Sequence, residues 1–233
     1  TDPAHDEFEP FEAIVSNPPY SIKWEGDANP LLINDERFSA AGVLAPKSKA
    51  DLAFTLHILH WLSVNGTAAI VEFPGVLYRG GAEQKIRKFL VDNNYVDAVI
   101  LLPPDLFFGT GIQTAILVLK KSKSDNKVLF INAEAEFGRE STKNILRPED
   151  RQKILETYKS RESIDYYSRL VDHSEIADND YMLSVTTYVQ AEDTREEIDI
   201  KALNEEIKEI VARQAILRAQ IDEIVADLEG ENS

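Results

Sequence analysis

The run FEAIVS at Phe11–Ser16, followed at once by Asn17-Pro18-Pro19-Tyr20, decides how this chain is read. Short and mostly apolar, the six residues predict a buried strand. Neither proline can donate a ladder hydrogen bond, so the strand must stop at Asn17. The chain then enters a stiff loop at the C-terminal end of a strand, the place where open α/β sheets bind ligands. That loop offers a carboxamide, two carbonyls without a local N–H competitor, and an aromatic ring. These parts suit a planar base that carries an exocyclic amine. Taken alone, the tetrapeptide is also explained as a strand-ending turn.

Working outward, further strands are predicted at 67–73, 96–102, 113–119 and 127–132. A mostly apolar helix is predicted over 50–63, ended by an Asn65-Gly66 cap and turn. A second, over 80–93, places Ile86, Phe89 and Leu90 at helical spacing and stops at Asn93-Asn94. Strand, helix, strand, helix, strand predicts an α/β fold with a parallel sheet. Short links before the last two or three strands predict an antiparallel finish. A further helix is expected over 148–161, a mixed polar segment over 164–180, and an extended or irregular segment over 181–189.

The tail carries a different signal. Leu203, Ile207, Ile210, Gln214, Leu217, Ile221, Ile224 and Leu228 alternate spacings of four and three, an a/d seam of about three and a half heptads. Such a helix either lies on its own domain or projects to meet partner helices. The charges flanking the seam favour projection, and Gln214 is a polar seam position able to set register.

Composition bounds the rest. The 233 residues are 43% hydrophobic, enough for one large domain with an appendage. With no Cys, disulfides, thiolate zinc sites and a Cys nucleophile are excluded, which fits a cytoplasmic protein. No apolar run is long enough to span a bilayer, so no membrane partner is expected. The net charge is −16, which repels nucleic acid, but it is uneven: residues 192–233 hold 13 acids and 5 bases, net −8. Arg79, Lys85, Arg87 and Lys88 form a basic cluster, and Lys120, Lys121, Lys123 and Lys127 a second. Each reads either as phosphate contacts or as a solvated face. His57 and His60 share a helix face without a third ligand in view, and packing is the better reading than metal. Glu72 ends its strand as a partly buried structural acid, and Gly109-Thr110-Gly111 reads as a tight turn rather than a phosphate cradle.

NPPYSIKW at 17–24, KADLAFTLHILHWL at 49–62, NGTAAIVEFPGVLYRGGAEQKIRKFL at 65–90, AVILLPPDLFFGTGIQTAILVLKK at 98–121, YMLSVTTYV at 181–189 and the closing helix together carry a resemblance. The chain resembles the methylation subunit of type I restriction–modification systems, an N6-adenine DNA methyltransferase. The resemblance implies a Rossmann-like methyltransferase fold over 1–190 and a C-terminal helix over 191–233. It implies that Asn17, Pro18, Pro19 and Tyr20 hold a flipped adenine, with S-adenosylmethionine as methyl donor. The family's main cofactor motif lies upstream of its NPPY motif, and none precedes Asn17. Its expected place is therefore upstream of Thr1, with at most a minor cofactor contact near Asn17. The expectation is a C-terminal fragment that binds the cofactor weakly, is inactive alone, and self-associates through the open edge of its first strand. The implied partners are DNA, a specificity subunit reached through the 203–228 seam, a restriction subunit and a second methylation subunit. Two rival readings are a methyltransferase for RNA bases or protein glutamine, and a non-catalytic assembly module.

Overall fold

The computed structural model of the chain describes residues 9–107, 111–190 and 200–230, and for 227–230 the backbone only. The chain forms two compact units that part between residues 191 and 192. In the first, eight strands are β1 (Phe11–Ser16), β2 (Leu62–Glu72), β3 (Val96–Leu101), β4 (Ala115–Lys120), β5 (Lys127–Asn132), β6 (Gly138–Glu140), β7 (Lys143–Ile145) and β8 (Ser168–Asp172). Its helices are α1 (Glu36–Ser39), α2 (Asp51–Trp61), α3 (Ala82–Asp92), α4 (Pro148–Ser160), α5 (His173–Asp178) and α6 (Val185–Tyr188). The second unit contributes α7 (Ile200–Gly230). Among the described residues no helix is long and apolar enough to cross a membrane.

Six strands make the main sheet, in the order β1-β2-β4-β3-β5-β8. The β1–β2 and β3–β5 pairs are parallel, and β4 is antiparallel to both β2 and β3. The C-terminal ends of β1, β2, β3 and β5 therefore share one edge of the sheet. The antiparallel finish expected from the sequence holds for β4 and for β8 against β5. On its other side β5 is parallel to β3, because β4 inserts between β2 and β3. A chain that reverses after β4 must then run parallel to β3.

Both faces of the sheet are covered. On one, Ala68, Ile70, Val99, Leu117, Leu119 and Phe130 pack against Leu52, Leu56 and Leu59 of α2 and Ile86 and Leu90 of α3. On the other, Ala98, Ile100, Val118, Leu129 and Ile131 pack with Ile154 of α4 and Tyr167. Each of the three α2 leucines is at most 5% exposed and contributes roughly 2 kcal/mol by burial.

Several segments depart from their sequence reading. β1 is a strand as expected but not a buried one, because it lies at the end of the sheet with β2 as its single neighbour. Residues 164–180 contain β8 and α5, and 181–189 closes with the helical turn α6, whose Tyr188 stacks on Phe130 at 4.3 Å. Asn65-Gly66 does not cap α2. The helix ends at Trp61, and Leu62 already belongs to β2. Between the pairs Phe11↔Leu62 and Ala13↔Thr67 the register shifts, so the Asn-Gly pair is taken up in an irregularity of the strand. Glycine is needed there because a Cβ on residue 66 would sit 2.8 Å from the Phe11 carbonyl.

Arg87, expected among the phosphate contacts, is instead a core residue. Its side chain is buried, and its guanidinium donates to the carbonyls of Tyr181 (2.8 Å), Val76 (2.9 Å) and Arg79 (2.7 Å). It ties α3 to the segment after β2 and to the chain leading into α6. Burial pulls its pKa down to about 10, which leaves it charged at neutral pH. We predict that Arg87→Met lowers stability by about 3 kcal/mol, because three carbonyls lose their donors. Urea denaturation measures this.

Candidate active site at the end of the first strand

Chain direction and proline chemistry put Asn17 at the sheet edge. Asn17 and Pro19 are exposed, Pro18 is buried and Tyr20 is half-buried. The Tyr20 hydroxyl donates to Asn17 Oδ1 at 2.7 Å, so the carboxamide oxygen already serves as an acceptor here. Burial first, and the charge of Glu72 second, raise the Tyr20 pKa, which keeps the phenol a donor at neutral pH.

The loop is clamped from behind by α2. Ser21, in the left-handed region at φ 51°, donates its N–H to Asp51 Oδ1 at 2.8 Å. The Ala50 N–H donates to the Ile22 carbonyl at 2.9 Å. Trp24 is fixed by its N–H on the Lys47 carbonyl and by its indole Nε1 on the Pro46 carbonyl, each 3.0 Å. Residues 21–24 are thus bonded to 46–51 along their length.

Glu72 ends β2 beside this clamp and is wholly buried. Thr55 of α2 donates to its Oε1, and Oε2 has no partner. Burial pushes the Glu72 pKa up to about 8, opposed by the Thr55 bond and reinforced by the charges of Asp51 and Glu83. Sequence reasoning names Glu72 as a structural acid and passes over Asp51. The signal for Asp51 is an acid in the first turn of an otherwise apolar helix, which reads as ordinary helix-end chemistry.

The basic residues divide. Lys85 is exposed. Lys88 pairs with Asp92 at 2.7 Å and lies over the Tyr181 ring at 4.4 Å. Arg79 lies over the Phe73 ring at 4.9 Å and reaches Glu83 at 3.6 Å. In the second cluster, three of the four ammonium groups are engaged by the protein itself. Lys120 pairs with Asp97 at 3.1 Å, and Lys121 donates to the Leu62 carbonyl. Lys123 donates to Asn94 Oδ1 (3.0 Å) and to the Val96 and Lys127 carbonyls (2.7 Å each), and burial pulls its pKa down to about 8. These ammonium groups are held by strand ends that need donors.

His57 stacks on Phe38 at 5.8 Å between centroids, and burial lowers its pKa. Among the described residues no group of three or more His, Asp or Glu is placed to hold a metal ion. Two sequence expectations, and one side chain of a third, lie outside the described residues. Thr1 lies outside the described residues, and with it the place upstream of Thr1 where the cofactor motif is expected. The Gly109-Thr110 part of the expected tight turn lies outside them too. On α7, Leu203, Ile207, Ile210, Gln214, Leu217, Ile221 and Ile224 are all exposed, while the Leu228 side chain lies outside the described residues.

The site is thus an Asn-Pro-Pro-Tyr loop closing the edge strand of a mixed sheet with an inserted antiparallel strand. The chain belongs to the N-6 DNA methylase family, whose profile matches residues 1–197. It is 50% identical over 219 residues to the type I restriction enzyme MpnII methylase subunit of Mycoplasma pneumoniae, covering 94% of this chain and 40% of that protein. It is 34% identical to the MjaVII methylase subunit of Methanocaldococcus jannaschii, covering 93% of this chain and 38% of that one. Among solved structures, the type I restriction–modification methyltransferase subunit of Streptococcus thermophilus matches with TM-score 0.78 and 44% identity, over 82% of this chain and 40% of that one. The chain thus spans about two-fifths of the length of these relatives.

The clamp itself is testable. Asp51→Ala removes the acceptor of the Ser21 N–H and is expected to lower stability by about 1–2 kcal/mol. Urea denaturation followed by Trp24 and Trp61 fluorescence measures it.

Proposed function

We propose that this chain is the base-holding part of a type I methylation subunit, which transfers a methyl group to N6 of adenine in DNA. One observation carries the reading. Asn17 Oδ1 sits at the sheet edge on a proline-stiffened loop, within hydrogen-bond reach of an aromatic residue, in a chain of the N-6 DNA methylase family.

An exocyclic amine is a poor nucleophile, because its lone pair is delocalised into the ring. Asn17 Oδ1 and the Pro18 carbonyl each accept one of its N–H bonds. This draws the nitrogen toward tetrahedral geometry and localises the lone pair for attack. The base must leave the duplex to reach this edge, and Tyr20 stacks on it there. To engage the amine, Asn17 gives up the Tyr20 hydroxyl. No general base is needed before attack, since the proton leaves from the product ammonium.

S-adenosylmethionine is the methyl source this chemistry requires. Glu72, which ends the neighbour of β1, is wholly buried and so offers its ribose no acceptor. Among the described residues β1 ends the sheet, with β2 on one side, which supports a sheet that continues past β1 in the whole subunit.

The exposed seam of α7 supports a second role, as the contact for a specificity subunit through paired helices. That subunit, with the restriction subunit and a second methylation subunit, would complete the assembly. Lys85, and in part Arg79 and Lys88, are the phosphate-contact candidates left on α3 and its approach.

In the intact subunit assembled with its specificity subunit, Asn17→Ala should lower kcat for N6-methyladenine formation by at least about 10²-fold. Tyr20→Ala should cost about 1–3 kcal/mol in transition-state binding, and Tyr20→Phe should stay close to the wild type. Mass spectrometry of digested DNA reads all three, and full activity in Asn17→Ala contradicts the reading. Replacing Ile210 and Leu217 by Asp should abolish co-purification with the specificity subunit while the melting temperature of the first unit stays unchanged.

A further inference from the structure

Two proline pairs end strands at one edge of the sheet. Pro18-Pro19 follows β1, and Pro103-Pro104 follows β3. Beyond β3 the Leu102 N–H still donates to the Thr114 carbonyl at 2.9 Å, but neither proline can donate a further bond. Carbonyls released in this way need donors from elsewhere. Residues 46–51 hold the chain after the first pair. After the second, the hold comes from the hairpin of β6 and β7.

Three bonds make it. Asn144 Nδ2 donates to the Pro104 carbonyl at 2.9 Å, the Asn144 N–H to the Asp105 carbonyl at 3.2 Å, and Lys143 Nζ to the Phe107 carbonyl at 2.9 Å. Asp105 stands in the left-handed region at φ 58°, so the loop turns where it is gripped. Of residues 138–145 only Asn144 is buried, at 8% exposure, and none of them joins either apolar core. The hairpin thus adds little by hydrophobic burial, and its one buried side chain is spent on another loop. Its own base is fixed. Arg147 lies against Gly138, where a Cβ would sit 2.7 Å from Arg147 Cδ. Arg147 also bonds Asp150 of α4 twice at 2.9 Å, and α4 packs Ile154 into the core.

We propose that Asn144 is a positioning residue for methyl transfer: it sets residues 102–107 as the far side of the cleft in which Asn17 holds the base. Asn144 touches no substrate and acts through the Pro104 and Asp105 carbonyls. The inference rests on the base-holding reading of the 17–20 loop. In the order β1-β2-β4-β3 the two loops leave strands three spacings apart, which at ~4.8 Å each puts their roots roughly 14 Å from one another. Two stacking contacts of ~3.5–4.0 Å fit within that span, so a base on Tyr20 has room between the loops. Drift of the far side misplaces the amine without changing how the rest of the DNA is held. The loss therefore falls on kcat rather than KM.

The test compares wild type, Asn144→Ala, Asn144→Asp and Lys143→Met in the intact assembled subunit. Aspartate keeps the shape and the backbone bond to Asp105, but turns the Nδ2 donor into an acceptor facing the Pro104 carbonyl. Lys143→Met removes the donor to Phe107 at a half-buried position, and so covers the case in which residue 144 tolerates no change. Methyl transfer from labelled S-adenosylmethionine to unmethylated genomic DNA should lose kcat by about tenfold in both Asn144 variants, less than the ~10²-fold cost of a 1 Å misplacement. KM for DNA should stay within about twofold of the wild type. Lys143→Met should lose kcat in the same direction. Hydrogen–deuterium exchange should be faster in peptides covering 102–107 of all three variants, with uptake over 17–24 and the melting temperature close to the wild type. Wild-type kcat in the Asn144 variants, or lost kcat without faster exchange at 102–107, overturns the proposal. Activity that falls only in step with the melting temperature overturns it too. Full activity in Asn17→Ala refutes the base-holding reading and the positioning role with it. An inactive Asn17→Ala beside fully active Asn144 variants overturns the positioning role alone.

Discussion

The inability of Pro18 and Pro19 to donate a hydrogen bond is the constraint on which this structure turns. It ends β1 at Ser16 and sends the chain off the sheet with Asn17 at its edge. A loop released in this way has no ladder to hold it, and the fold provides a substitute. The start of α2 takes over, through Asp51 on the Ser21 N–H and Ala50 on the Ile22 carbonyl. Because α2 is buried through Leu52, Leu56 and Leu59, the loop inherits the rigidity of the core. The acceptor at Asn17 is therefore placed by hydrophobic packing two steps away.

That dependence explains which parts of the fold were legible in the sequence. Strands β1, β3 and β5 and helices α2 and α3 announce themselves through apolar runs of the right length. An apolar run does not say how many neighbours a strand has, so the exposure of β1 stayed hidden. β8 and α5 were missed because SRLVD and the residues after it mix polar and apolar positions at a sheet edge, where one side of the strand stays wet. The parallel direction of β5 was hidden as well. Link length between neighbours in sequence says nothing of an inserted strand, and β4 lies between β2 and β3. Asn65-Gly66 misled in the same way, since its strong turn chemistry was absorbed by a register shift against β1.

At the site, the tetrapeptide was readable because proline has local consequences. Its support was not, because the Asp51 that holds Ser21 comes from a separate element, thirty residues on in the chain. Charge was the least reliable guide. Arg87 and Lys123 look like surface cations in sequence, yet each spends its donors on buried or half-buried carbonyls. The net charge of −16 opposes phosphate binding, although Lys85 of the first cluster stays exposed. On the proposed function this is no obstacle, since neutralisation can fall to other parts of the proposed assembly.

The most direct measurement is a structure of the assembled subunit on DNA that carries its target site, with the methyl donor replaced by its demethylated product. The expected result is an adenine turned out of the duplex, its amino nitrogen within hydrogen-bond distance of Asn17 Oδ1 and the Pro18 carbonyl, and its ring on Tyr20, with the Tyr20–Asn17 bond broken. A target adenine that remains stacked in the duplex, or one bound elsewhere while Tyr20 still donates to Asn17, would contradict it.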